Sequence, residues 1–244
     1  MEINKRMFRF LSYDLIRGVG IFWTIMLLVD IAPMVISLSR GSDFIQGPMI
    51  INQGSISFVA SNFFPIFIFF VIYSLEMYYE KFSLAVGFGG TRKRFYQNLI
   101  INNIIVVLIF ATIQTILLKL ENLILSNSTI KPIVDFGWFN IKSDSILQII
   151  LTLSFVFLTL VSITNLIGVL QYRYSYKFWI SLGIFILIII RTSNLIGRFI
   201  SRIIYHMTNI DYIIPNPNIV LVGVLIIIVT YTLGFIFIRK ANIK

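Results

Sequence analysis

The stretch from Phe58 to Leu75 reads FVASNFFPIFIFFVIYSL and contains no charged residue over its 18 positions. As an α-helix it is about 27 Å long, close to the thickness of the hydrocarbon core of a bilayer. A helix also satisfies its own backbone hydrogen bonds, which lipid cannot do. The stretch therefore predicts a transmembrane helix.

Five more apolar windows have the length of a membrane-spanning helix. They run from Gly18 to Leu38, Tyr96 to Leu118, Ile146 to Leu170, Tyr174 to Ile190 and Asn218 to Ile238, and the one from Tyr174 is the shortest. The chain is 58% hydrophobic and 12% charged with a mean hydropathy of +0.92, which lies outside the composition of soluble domains. We therefore predict an all-α membrane protein in which six transmembrane helices form a single transmembrane domain over residues 1–244.

The distribution of Lys and Arg predicts the orientation, because positively charged loops resist translocation. Placing the N-terminus inside puts 13 of the 20 basic residues on the cytoplasmic side. They are Lys5, Arg6, Arg9, Arg17, Lys81, Arg92, Lys93, Arg94, Arg173, Lys177, Arg239, Lys240 and Lys244. Both termini are then cytoplasmic, and we expect a multi-pass protein of the cell (plasma) membrane. The net charge of +10 is explained by this topology and by anionic headgroups, so it predicts membrane lipids and no nucleic acid as partners.

Two segments outside the spans are amphipathic. Residues 1–17 carry apolar side chains at helical spacing and basic ones elsewhere, which predicts an interfacial helix at the inner surface. The apolar positions are Ile3, Met7, Phe8, Leu11 and Leu15. The pattern of residues 191–217 predicts a second amphipathic helix, in which arginines lie on the face opposite the apolar stripe. Pro215 and Pro217 would end this helix. This outer segment either lies flat on the outer leaflet or dips in as a re-entrant element, and the sequence leaves both open.

The patterns of catalytic and metal-binding sites are missing from the sequence. There is one histidine, His206, and no cysteine, which excludes metal sites built from several histidines or from thiolates within one chain. We expect no catalysis by the chain itself and no cofactor bound to it. Asp30 is the one carboxylate well inside a predicted span, where an ionised group costs on the order of 3 kcal/mol. It either makes a polar contact, in a translocation path or at a helix interface, or lies nearer the outer surface.

A short polar hinge joins the second and third predicted spans. Residues 76–96 read EMYYEKFSLAVGFGGTRKRFY, in which two acidic residues precede an apolar turn, three glycines and a basic, aromatic end. The glycines lack the spacing of a dinucleotide-binding loop or a P-loop and indicate a tight backbone turn. We predict a short helix, capped by flexible residues, that lies parallel to the membrane. A basic loop with aromatic residues at the interface would have the same composition.

The layout of the chain resembles the membrane subunit of type-2 ATP-binding-cassette (ABC) exporters. Permeases of that family have an N-terminal interfacial helix, six spans, a coupling helix after the second span and paired re-entrant elements before the last. Their hinge commonly has the order acidic residue, apolar stretch, glycine, small residue, arginine and aromatics. The matching residues here are Glu80, Leu84, Gly87, Gly90, Thr91, Arg92, Phe95 and Tyr96. Gln97 and Asn98 depart from the pattern, since many relatives have lysine at that point. The size and short outer loops are similar to the branch that exports bacteriocins, lantibiotics and phenol-soluble modulins.

The resemblance implies an ATP-driven exporter that works by alternating access. ATP and Mg²⁺ would bind to a separate ABC ATPase subunit, and a second permease copy or a homologue would complete the path for an amphipathic peptide or lipid-like cargo. The residues it assigns to ATPase coupling are Glu80, Phe82, Leu84, Gly87, Phe88, Thr91, Arg92, Lys93, Arg94 and Phe95. Asp30 is the candidate residue of the translocation path. The alternative function is that of a non-transport membrane sensor or assembly partner.

Overall fold

The computed structural model describes residues 2–40, 50–52, 55–126, 128, 131–191, 217–239 and 241. Its α-helices are α1 (Glu2–Arg40), α2 (Phe63–Glu76), α3 (Ser83–Gly87), α4 (Arg92–Ser126), α5 (Ile146–Tyr174), α6 (Tyr176–Arg191) and α7 (Pro217–Arg239). Strands β1 (Ile50–Asn52) and β2 (Ser55–Ser57) form a small antiparallel hairpin. A 3₁₀ turn (Val59–Asn62) leads into α2, and a π-helical segment (Met77–Phe82) joins α2 to α3.

Five helical segments of the described chain are long and apolar enough to cross a membrane. They are Phe8–Ile36, Val59–Gly87, Arg92–Ser126, Ile146–Tyr174 and Ile219–Arg239. Many large apolar side chains on these segments are exposed, as expected of surfaces that face lipid rather than water. Examples are Leu28, Phe64, Ile72, Leu147 and Leu221. The protein is therefore an all-α, multi-pass membrane protein.

Helix α6 covers most of the remaining predicted span, Tyr174 to Ile190. It has 16 residues and is about 24 Å long, whereas a transmembrane helix usually needs about 20 residues. A turn at Ser175, where φ is 50°, separates it from α5. Of the six predicted spans, the described residues thus contain five of spanning length. The predicted amphipathic or re-entrant segment 191–217 lies, apart from its first and last residues, outside the described part of the chain.

The predicted interfacial helix 1–17 is an extension of the first span. α1 runs from Glu2 to Arg40 without an end near Gly18. One buried stripe recurs every three or four positions through both segments, because the same face of the helix packs against the bundle. Its members are Leu11, Leu15, Val19, Trp23 and Met26. The apolar positions Leu11 and Leu15 therefore contact protein, and residues 2–17 are continuous with the first span in one helix.

Helix α5 packs against α2, α4 and α7. Glycines allow these helices to approach closely. A β-carbon on Gly168 of α5 would lie 2.8 Å from the Ser74 carbonyl oxygen of α2, and one on Gly223 of α7 would overlap the ring of Phe155. Small residues at such interfaces let apolar helices make van der Waals contact in a lipid environment, where water does not drive them together.

The beginning of the second span is fixed by a buried carboxylate of α4. Glu121 accepts hydrogen bonds from the Ser57 hydroxyl at 2.6 Å, from the Phe58 N–H at 2.6 Å and from the Val59 N–H at 3.3 Å. The Gln114 side chain donates to the Val59 carbonyl at 2.8 Å. Free N–H groups and a positive partial charge occur at the start of every helix, and an acceptor with negative charge satisfies both. This contact lies at the end of the second span that is remote from the hinge.

Candidate functional site

The hinge between the second and third spans is a helical extension followed by a four-residue turn. The second span continues through the π-helical segment Met77–Phe82 into α3, which ends at Gly87, and α4 begins at Arg92. In place of the predicted short helix parallel to the membrane, the structure has helical residues that belong to the span Val59–Gly87. Residues 88–91 alone connect the two spans, which therefore form a hairpin.

The turn has the hydrogen bonds of a Schellman motif, the common way to end a helix at glycine. The N–H of Gly90 donates to the Ala85 carbonyl at 2.9 Å, and the N–H of Gly89 donates to the Val86 carbonyl at 3.0 Å. Gly89 has a φ of 84°, a left-handed conformation that favours glycine. The tight turn expected from the glycine run is present, and Gly89 is the position where the backbone requires that residue type.

Most of the residues assigned to ATPase coupling lie on the surface at this hairpin end. Phe88, in the turn, is 82% exposed, and Leu84 is 47% exposed. The other exposed members are Glu80, Gly87, Thr91, Lys93 and Arg94, and Arg92 is partly exposed. The Thr91 hydroxyl oxygen accepts the Arg94 N–H at 3.3 Å and so caps the start of α4. An apolar tip beside basic residues is thus held between two helix ends.

Phe82 and Phe95, which the resemblance also assigns to ATPase coupling, lie inside the bundle. Both side chains are 0% exposed. Their rings pack edge to face with centroids 5.2 Å apart, Phe82 packs on Tyr172 of α5 at 5.3 Å, and Tyr78 lies 6.2 Å from Phe95. We call these four residues the aromatic base. Because the base is where the hairpin packs on α5, Phe82 and Phe95 contribute no exposed surface at the turn, and their part in coupling stays a prediction.

A chain of buried hydrogen bonds connects the hairpin with α5 and α7. The Tyr78 hydroxyl donates to Asn165 Oδ1 at 2.6 Å, and Asn165 Nδ2 donates to the Tyr96 hydroxyl oxygen at 3.2 Å. Tyr96 donates in turn to the Tyr231 carbonyl at 2.8 Å, and Asn103 donates to the Tyr231 hydroxyl at 3.1 Å. Sequence reasoning did not find this network. Asparagines within apolar windows are its only visible signal, because such side chains need partners in lipid.

The hairpin is also tied to the first helix. Lys81, which the topology prediction places in a cytoplasmic loop, is buried and forms an ion pair with Asp14 of α1. Its ammonium group lies 5.1 Å from the centroid of the Phe10 ring. A buried cation needs a partner, and removing that partner is costly. The π-helical segment, which contains Lys81, is therefore anchored on both α1 and α5.

Asp30 lies at the other end of the bundle from the turn. It is 5% exposed, and its Oδ2 accepts a hydrogen bond from Asn62 Nδ2 at 2.7 Å. This contact joins α1 to the 3₁₀ turn that precedes α2. Of the two readings of Asp30, the polar contact at a helix interface agrees with this geometry. Its part in a translocation path stays a prediction.

The described residues contain no group of three His, Asp or Glu side chains that could hold a metal ion. The fold and the site define the class of protein: a multi-pass helical membrane protein in which two spans form a hairpin with an exposed aromatic and basic tip. No protein-family model matches the chain, and comparisons with curated proteins and with solved structures find no similar chain.

Proposed function

We propose that the protein is the membrane-spanning permease subunit of an ATP-driven exporter of the type-2 ABC kind. In this proposal both termini and the Phe88 turn are cytoplasmic, α6 is the remaining one of the six spans, and the protein lies in the cell membrane. The chain catalyses nothing itself. A separate ATPase subunit binds ATP and Mg²⁺, and a second permease copy or a homologue completes the translocation path.

The observation that supports the proposal best is the exposed Phe88 at the tip of the hairpin. The ring of Phe88, 82% exposed at the end of two spans, buries little of its surface against the described residues. Aromatic side chains that anchor protein interfaces are often surrounded by residues that complete the contact. Leu84 and Arg94 supply exposed apolar and charged neighbours. We assign Phe88, Leu84 and Arg94 to the contact with the ATPase subunit.

The packing below the tip supports a mechanical role for it. A displacement of the turn would be transmitted to the aromatic base. From the base it would reach α5 through Tyr172, and it would reach α7 through the hydrogen bond from Tyr96 to the Tyr231 carbonyl. Closely packed helices shift as bodies and do not absorb such a displacement locally. Closure of two ATPase subunits would thus tilt the second and third spans together with α5. An amphipathic peptide or lipid-like cargo would move through the interface between permeases by alternating access.

The absence of cysteine allows a direct test by cross-linking. A single Phe88→Cys variant is expected to cross-link to a nucleotide-hydrolysing subunit in membranes of the source organism, through a short thiol-to-amine reagent. Two matched variants serve as controls. Tyr176→Cys places an exposed thiol at the other turn on the same side, and Lys142→Cys places one in the opposite loop. Neither control should cross-link to that subunit.

The outcomes separate the proposal from its alternative. Cross-linking of Phe88→Cys to a protein without a P-loop would support a sensor or assembly partner. If soluble maleimide labels Phe88→Cys readily and no ATPase is ever captured, the coupling role is wrong. Labelling of Phe88→Cys and Lys142→Cys from the same side of the membrane would contradict the topology itself.

A further inference from the structure

A basic pocket lies between the start of α4 and the end of α7. It is lined by Arg92, Lys93, Phe235 and Arg239 and has a volume of about 510 Å³. The two helices that contribute to it are both long enough to span a membrane, and the pocket lies where both of them end on the side of the turn. It therefore lies at the level of the lipid headgroups on that side.

Among the described residues, the lining of the pocket carries three cations and no carboxylate. Within the described part of the chain, none of these three side chains forms an ion pair; the one such pair there joins Lys81 to Asp14. Arg92 Nη1 donates to the Arg239 carbonyl oxygen at 2.6 Å, which holds the Arg92 guanidinium against the end of α7. Its remaining N–H groups form no hydrogen bond with the residues that the structure describes. Three cations that share one cavity repel one another, and an anion in that cavity would remove the repulsion.

The start of α4 strengthens the preference for an anion. The first N–H groups of a helix have no partner within the helix, and at α4 they belong to Arg92 and Lys93. The dipole of α4 adds a positive partial charge there, and the opposite partial charge at the end of α7 is met by the Arg92 guanidinium, which donates to the Arg239 carbonyl oxygen. Guanidinium groups suit phosphate oxygens in particular, because two parallel N–H donors match two oxygens. The cationic side chains of the lining therefore carry the preference for a phosphate.

The apolar part of the pocket indicates what carries the phosphate. Phe235 packs on Tyr96 with ring centroids 5.7 Å apart and leaves part of its surface open to the pocket. On the same helix, Leu233 and Ile236 are exposed on the surface of the bundle. A soluble phosphate would have no contact with this apolar surface, whereas the glycerol backbone and acyl chains of a lipid would cover it.

We propose that the pocket binds the phosphate headgroup of an anionic phospholipid, with the acyl chains along α7. The lipid bridges the start of the third span and the end of the last one. This site needs neither the ATPase subunit nor the transport function, so it does not depend on the function proposed above. It also divides the basic run of the hinge: Arg92 and Lys93 belong to the lipid pocket, and Arg94 belongs to the exposed tip.

Native mass spectrometry of the purified full-length chain tests this proposal. The probes are phosphatidylglycerol, phosphatidylcholine and glycerol 3-phosphate, titrated in the same detergent. We expect retention of phosphatidylglycerol in preference to phosphatidylcholine. Lys93→Gln and Arg239→Gln are each expected to weaken that binding about tenfold, the effect of one lost charge-assisted contact. Arg94→Gln removes the same charge one residue away from the pocket lining and should change binding less than about twofold.

Lys93→Gln is the decisive variant, because the Lys93 side chain forms no hydrogen bond within the described residues and its loss leaves the fold intact. Lys93→Arg should restore binding. If Lys93→Gln and Arg94→Gln weaken the binding of phosphatidylglycerol equally, the lipid is attracted to basic charge in general and the proposal is overturned. Displacement of the lipid by equimolar glycerol 3-phosphate would show a soluble phosphate ligand and would also overturn it. Unchanged retention of phosphatidylglycerol by both Lys93→Gln and Arg239→Gln would likewise overturn the proposal.

Discussion

Gly168→Ala is the change whose cost the structure defines most directly. The new β-carbon would lie 2.8 Å from the Ser74 carbonyl oxygen and 2.9 Å from Cδ2 of Tyr78, where ordinary contacts begin at 3.4 Å. The carbonyl is backbone and cannot rotate away, so α5 and α2 must separate. The hydrogen bond between the Ser74 and Thr164 hydroxyls, 2.9 Å long, spans the same interface and would lengthen. Overpacking of this kind costs roughly 1–3 kcal/mol.

The assay is equilibrium unfolding of the purified chain in mixed micelles. Gly168→Ala should lower the free energy of unfolding by about 1–3 kcal/mol. The control is Gly20→Ala, at which no atom lies within 4 Å of the added carbon. There alanine is the better helix former by about 1 kcal/mol, so stability should be unchanged or slightly higher. If the two variants unfold alike, the close approach of α2 and α5 is wrong and so is the rigid connection from the turn to α5.

Two further pairs of variants separate buried from exposed positions at the two ends of the bundle. Phe82→Ala should destabilise the chain by about 3–5 kcal/mol, because it opens a cavity in the aromatic base, whereas Phe88→Ala should leave unfolding unchanged and abolish copurification of the ATPase subunit. Equal stability of these two variants would contradict the assignment of base and tip. Glu121→Ala removes the acceptor of three hydrogen bonds and should lower the unfolding free energy by about 2–4 kcal/mol in the same assay, against almost no change for the exposed Glu80→Ala. A Glu121→Ala chain as stable as the Glu80→Ala chain would show that the carboxylate does not fix the start of the second span.

The sequence predicted the spans well where the hydrophobic run is long and the ends are marked. The window from Ile146 begins where α5 begins, and the last window coincides with α7 to within one residue at each end. The limits of the second and third spans were less accurate. Helical structure continues to Gly87 and resumes at Arg92, although these residues are more polar than the spans. Hydrophobic composition indicates which residues lie in lipid. The helix itself continues past them and ends at the turn, where the backbone of Gly89 is left-handed.

Which residues of the hinge are exposed did not follow from the sequence. Phe82, Phe88 and Phe95 have the same side chain within one short segment, yet two are buried and one is exposed. Their difference is set by the packing of α5 against the hairpin, through residues such as Tyr172 that are far away in the sequence. Likewise, the sequence around Lys81 does not show that its side chain is buried and paired with Asp14.

The amino-acid sequence alone determined that this is a helical membrane protein with a glycine turn between its second and third spans, because hydrophobic length and glycine conformation are local properties. The tertiary structure decided which side chains form the aromatic base, which one forms the tip, and which basic residues line a pocket with α7. These depend on contacts between residues distant in the chain, such as Arg92 with the Arg239 carbonyl. Such contacts arise only when several helices pack together in one arrangement.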